Sequence, residues 1–285
     1  MLMKTRIAIT TDSAADITKS TAKEYDLHVI PMNILIAESQ YKDGIDITVR
    51  QMLEKSEESK SVPKATAVSA QEYKLVFTSL VEKGYEVIHI CPSGKLFPCY
   101  ENASFAANSF ENVHVIDSLT VSAGLALLCL EASRLRLEDK TADEIVSGIE
   151  KLKTQIDTSF LAADTNLLFK SGKCTALDKT GAHLFGFYPC VAIKDGALSV
   201  GEKHKGSLDA ARKKYLGQRL ENLGEASSEC LIFCSSGLGK EETDNLCAYI
   251  KEISPAKLVT VCESGCCIAS YCSTGFIGLS FKKQL

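Results

Sequence analysis

Short apolar runs alternating with helical stretches constrain the fold of this chain more than any other feature. Arg6–Thr10, Glu86–Cys91 and Val113–Asp117 read as buried strands, and Leu27–Ile36 is a further apolar run broken at Pro31. Helical patterns fall between and after them at Ser20–Tyr25, Val49–Glu58, Ala70–Lys83, Tyr100–Ser109, Val121–Leu137 and Ala142–Ile156. Strands separated by helices need crossover connections, and these produce a parallel sheet with helices on its faces. Beyond this point the pattern changes. Phe160–Ala163 reads as a short strand, and Asn166–Cys174 holds a turn at Ser171-Gly172. Pro189–Ile193 and Ala197–Gly201 flank Lys194-Asp195-Gly196, a hairpin signature. Strands at Cys230–Cys234, Leu258–Cys262 and Phe276–Phe281 alternate with helices at Leu208–Leu223 and Lys240–Ile253. The expected fold is therefore α/β with two domains: an N-terminal parallel sheet flanked by helices (residues 1–157) and a C-terminal mixed α+β sheet domain (residues 158–285).

With 285 residues, 45% of them apolar, the chain can bury a sizeable core in each of two modest domains. A net charge of −4, with Lys and Arg scattered, leaves no electrostatic footprint for nucleic acid. No apolar stretch is long enough to span a bilayer, so no membrane insertion is expected. The opening Met-Leu-Met-Lys-Thr-Arg leads directly into a strand without an export signal, and the expected location is the cytoplasm. There the twelve cysteines are expected to be reduced. Cys262, Cys266, Cys267 and Cys272 cluster near the C-terminus, but the histidines lie elsewhere and the spacing is not that of a zinc site. No metal and no cofactor are expected.

Motifs that would carry catalysis are missing from the sequence. Gly237-Leu238-Gly239-Lys240 opens a helix after a strand, but Glu241 stands where a phosphate-binding loop needs Ser or Thr. No G-x-S-x-G elbow and no H-E-x-x-H occurs. Asp12, Asp16, Asp43, Asp46 and Asp117 could converge at strand ends, although carboxylates there commonly cap helices instead. The turn Thr11-Asp12-Ser13-Ala14-Ala15-Asp16 lies at the carboxyl edge of the first strand, where parallel sheets bind ligands. Its Ser13 and Asp16, with Thr18, offer caps to the next helix. Hydroxyl-rich turns recur at Ala65–Ser69, Ser93-Gly94, Ser118–Thr120 and Ser273-Thr274-Gly275. Such turns suit an anionic head group. The apolar run Leu184–Tyr188 is either cavity wall or plain core.

In order and spacing these segments resemble the DegV family of bacterial fatty-acid-binding proteins, nearly end to end. Thr11–Asp16 is similar to the family's T-D-S-x-A-D signature. Val29-Ile30-Pro31, Tyr41-Lys42-Asp43-Gly44, Val115-Ile116-Asp117-Ser118, Pro189 and Lys194-Asp195-Gly196 match its later landmarks. The resemblance implies two α/β domains with one long-chain fatty acid buried between them, and a protein that passes this ligand to a separate fatty-acid kinase without being an enzyme itself. It places the ligand contacts at Ser13, Ala65, Thr66, Ser93, Phe97, Tyr271 and Ser273.

The departures from the family fall on those same loops. Ala65 stands at the carboxylate-binding Thr of T-S-Q-P-S. Phe97 and Pro98 replace Ser and Gly in S-S-x-L-S-G-T-Y, Tyr271 replaces the His of H-x-G-P-G, and G-G-R-I becomes Ser171-Gly172-Lys173-Cys174. Each lost charge-assisted hydrogen bond would weaken carboxylate binding by about 1.5–3 kcal/mol. Thr66, Ser69, Ser93, Tyr271 and Ser273 remain as substitutes, of which Thr66, Ser93 and Tyr271 are expected to face the cleft and supply most of the polar contacts. Alternatives are a divergent member binding another small ligand or none and acting through protein interaction, or an enzyme using cysteines or carboxylates at the cleft.

Overall fold

The computed structural model describes residues 6–171, 187–221, 223 and 231–283. In the N-terminal lobe β1 (Arg6–Asp12), β2 (Leu27–Ile30), β6 (Tyr85–Cys91) and β7 (Val113–Asp117) form a parallel sheet in the order β2-β1-β6-β7. Pro31 divides the apolar run 27–36 between two sheets. The strand after it, β3 (Asn33–Ile36), pairs antiparallel with β4 (Ser39–Lys42) and β5 (Lys64–Thr66) in a separate three-stranded sheet. Proline offers no ladder N–H, so it marks the seam. The sequence pattern missed β4 and β5, which are short and mostly polar.

Helices α1 (Lys19–Glu24), α2 (Val49–Ser59) and α3 (Ala70–Glu82) each start at a Ser or Thr cap. Thr18 accepts from Thr21 N, while Thr48 with Gln51 and Ser69 with Glu72 form capping boxes. Helix α3, together with α4 (Cys99–Ala107), packs on the parallel sheet. Helix α5 (Ala123–Leu137) contacts β1 and β6 of the N-terminal sheet and also strands of the C-terminal sheet. Covered on two sides, it is apolar nearly all round, as a helix inside a core must be. Helix α6 (Ala142–Leu152) ends four residues earlier than its pattern predicts. A short 3-10 turn, Lys153–Gln155, follows it.

The C-terminal sheet is mixed and six-stranded. It contains β8 (Ile156–Leu161), β9 (Phe187–Lys194), β10 (Ala197–Lys205), β11 (Leu231–Ser235), β12 (Val259–Glu263) and β13 (Ile277–Lys282), in the order β10-β9-β8-β13-β11-β12. The pair β11–β12 is parallel and the other pairs are antiparallel. The predicted β9–β10 hairpin is present. Asp195 and Gly196 both have positive φ (49° and 81°), as a two-residue turn of the type favoured by Asp-Gly requires. Helices α7 (Asn166–Lys170), α8 (Leu208–Leu220), α9 (Lys240–Ile253) and α10 (Cys266–Cys272) complete the described chain. The predicted turn at Ser171-Gly172 and the run Leu184–Tyr188 fall largely outside the described residues, as do Cys174 and Cys230. One apolar core runs through both lobes, from Ile9 and Ile88 through α5 to Ile232, Cys234 and Phe276.

Candidate functional site

The carboxyl ends of β1, β6 and β7 meet the C-terminal lobe at α10, a helix whose seven residues are all buried. No side chain of its own segment caps it, because Gly265 stands at the N-cap. Carboxylates from the other lobe take over that task. Asp43 accepts from Cys266 N at 2.8 Å and Cys267 N at 3.1 Å, and Asp16 accepts from Gly265 N at 2.8 Å. Ser13 donates to Asp43 at 2.8 Å and accepts from Met32 N at 3.1 Å, while Ser122 donates to Asp16 at 2.6 Å. Burial pushes the Asp16 carboxyl up to about 8, against the pull of the Ser122 and Gly265 bonds and with further upward pressure from Asp43. Of the five aspartates considered above, Asp16 and Asp43 converge here. Asp46 accepts from Lys42 N, and Asp117 accepts from the turn amides of Gly94 and Leu119. Asp12 is buried with Tyr73 and His89.

The other end of α10 carries Tyr271, which is 8% exposed. Its ring meets Phe97 edge-on at 5.8 Å, and its hydroxyl donates to the Ala65 carbonyl at 3.2 Å. Burial raises the phenol's pKa, so it remains a donor. Ala65, Phe97 and Tyr271 thus form one wall where β5, the turn before α4, and α10 come together. Ser273, half-buried, ends the same helix with φ 59°. Ser93 is fully buried, and its hydroxyl donates to the Gly196 carbonyl at 2.7 Å, tying the turn after β6 to the β9–β10 hairpin.

The other four of the seven predicted contacts do not join this wall: Ser93 and Ser273 are held as just described, and Thr66 and Ser13 are turned elsewhere. Thr66 alternates with Ala65 along β5, so its side chain leaves on the opposite face and is exposed, contrary to the expectation that it faces the cleft. Ser13 belongs to the cap at the far end of α10. Beside that cap a cavity of about 230 Å³ is lined by Ser13, Asp16, Asp43, Ile45 and Gly265. An adjoining groove of about 700 Å³ lies against α2 and Glu263. Neither is lined by Phe97 or Tyr271.

The profile described as "uncharacterised protein, DegV family" matches residues 6–284. The chain belongs to the DegV family. A DegV domain-containing protein of Clostridium acetobutylicum is 26% identical over 283 residues, covering 98% of this chain and 99% of that protein. Among solved structures, a DegV family protein from Thermus thermophilus described by its fatty acid binding superposes with a TM-score of 0.86 at 22% identity, covering 98% of this chain and all of the other. The Streptococcus pneumoniae Fatty Acid Kinase (Fak) B3 protein, loaded with linoleic acid, superposes with a TM-score of 0.81 at 19% identity, covering 98% and 100%.

Within this DegV fold, Tyr271 links Phe97 through its ring and Ala65 through its hydroxyl. The ten described cysteines carry free thiols, eight of them buried. Among the described residues no helix is long and apolar enough to cross a membrane.

The Ser93–Gly196 tie gives a direct prediction. A Cβ on Gly196 would lie 2.6 Å from Ser93 Oγ, and the residue sits at φ +81°. Gly196→Ala should cost roughly 2 kcal/mol from backbone strain and crowding together. The shift of the urea midpoint measures it, and an unchanged midpoint would show that the hairpin moves freely past β6.

Proposed function

We propose that this protein binds one long-chain fatty acid between its two lobes and presents it to a fatty-acid kinase in the cytoplasm, without performing chemistry itself. The observation that carries the reading is the wall of Ala65, Phe97 and Tyr271, apolar apart from the Tyr271 hydroxyl, on a fold shared end to end with proteins described as fatty-acid-binding. Such a surface suits an amphipathic ligand. Ala65 and Phe97 contact it through apolar surface. Tyr271 is the group that redirects to the carboxylate, because its present bond of 3.2 Å is long for O–H···O. Ser93 is held more firmly, at 2.7 Å, and keeps its bond to the Gly196 carbonyl rather than donating to the ligand. Ser273 flanks the head group, whereas Ser13 and Thr66 are left out of the site. We place the seam between the two domains at Lys153–Gln155, because a division after residue 157 would cut β8.

A second reading, a divergent member that binds another small ligand or none and acts through protein interaction, draws on the fact that the Ser93 and Tyr271 hydroxyls both donate to backbone carbonyls. Restoring the family's head-group residues separates the two readings. Ala65→Thr with Tyr271→His should raise affinity for an ionised fatty acid by about tenfold, the worth of one charge-assisted hydrogen bond. Titration of both proteins at one pH measures this, and equal or weaker binding by the double variant would count against the fatty-acid reading.

A further inference from the structure

We propose that Asp12, His89 and Cys91 form a zinc site that ties the carboxyl ends of β1 and β6 together. Parallel pairing sets Thr10 beside His89 and Thr11 beside Ile90, and alternation along each strand puts Thr10, Asp12, His89 and Cys91 on one face of the sheet. That face is turned toward α3, whose Tyr73 and Phe77 rings pack edge-on against His89 at 5.0 and 5.5 Å. All three candidate ligands are fully buried, and one donor atom from each lies within 4.8 Å of the others.

Two unpartnered atoms point to a ligand here. Asp12 Oδ2 and His89 Nε2 are both buried and neither has a hydrogen-bond partner, a costly arrangement if nothing else binds them. They stand 3.5 Å apart, long for a hydrogen bond. Metal–ligand bonds of about 2.0–2.1 Å in a tetrahedral site would set N and O about 3.3–3.4 Å apart, close to this spacing.

The other polar atom of each ligand is already fixed. Tyr73 donates to Asp12 Oδ1 at 2.7 Å, and His89 Nδ1 bonds Thr10 Oγ1 at 2.8 Å. This is the outer shell that orients metal ligands, a carboxylate held by a hydroxyl and an imidazole held through its far nitrogen. Charge also balances. One carboxylate, one thiolate and one neutral imidazole cancel a divalent cation, so the loaded site carries no net charge into the core. An imidazole, a thiolate and a carboxylate form a ligand set that zinc accepts, with one position left for water. The three ligands come from two strands far apart in the chain, so the close cysteine spacing that marks many zinc sites is absent from the sequence.

Elemental analysis of the full chain, refolded with zinc under reducing conditions and desalted, tests the proposal. About one zinc per chain is expected. Cobalt in its place should give thiolate-to-metal charge-transfer absorption, which Cys91→Ser should abolish. Tyr73→Phe keeps all three ligands and should lower zinc affinity roughly tenfold. This conservative variant stays informative if Cys91→Ser or His89→Gln does not fold. The proposal is overturned if the refolded parent binds no zinc and shows no cobalt–thiolate band, or if Cys91→Ser and Tyr73→Phe both bind zinc as tightly as the parent.

Discussion

Asp16→Asn should stabilise the protein, by an amount that grows with pH. Burial holds the Asp16 carboxyl at about 8 in the folded state, against 3.8 for an unperturbed aspartate. Between these two values the folded chain keeps a proton that the unfolded chain releases, so stability falls as pH rises, the reverse of the behaviour of a paired surface carboxylate. The variant has no such proton, and its amide can still accept from Gly265 N and donate to Ser122. Its advantage should be near zero at pH 4 and grow by up to about 1.4 kcal/mol per pH unit. Above pH 8 it should level off. Urea unfolding of both proteins from pH 4 to 9 measures this difference. A constant difference across that range would mean that Asp16 is already ionised in the folded state.

A second large effect is expected where the lobes meet beneath α5. A Cβ on Gly124 would lie 2.2 Å from Thr158 Oγ1 and 2.4 Å from Thr120 Oγ1. Those hydroxyls belong to a buried chain in which Thr120 donates to Thr158 at 3.0 Å and Thr158 bonds Ser280 at 2.5 Å. Gly124→Ala must push apart side chains that are themselves hydrogen-bonded. The cost should reach about 3 kcal/mol, the upper part of the range for overpacking. Helix propensity alone would make the same change favourable by about 1 kcal/mol, so the sign of the result separates the two effects. A thermal melt that rises in this variant would contradict the packing described for α5.

The strands of the parallel sheet were legible because each is a short apolar run between helical patterns, and Val113–Asp117 holds to the residue. Three features were not. Strands β4 and β5 are too short and polar to stand out. The pattern carried α6 on to Ile156, although Ile156 opens β8. Helix α10 reads in the sequence as a cysteine cluster rather than a helix, since its caps, Asp16 and Asp43, lie more than two hundred residues away in the chain. The site was legible in part for the same reason. Phe97 and Tyr271 were singled out from their loops and do meet. The side-chain direction of Thr66 depends on strand register in a sheet whose second and third strands the pattern did not reveal.

Native mass spectrometry of the full chain tests most directly whether a fatty acid is held between the lobes. The spectrum is taken as purified from bacterial cytoplasm, and again after solvent extraction and addition of a long-chain fatty acid. The expected spectrum shows a mass increment equal to one long-chain fatty acid, lost on extraction and restored on addition. A bare-chain mass in every spectrum, with no uptake of the added acid, would contradict it.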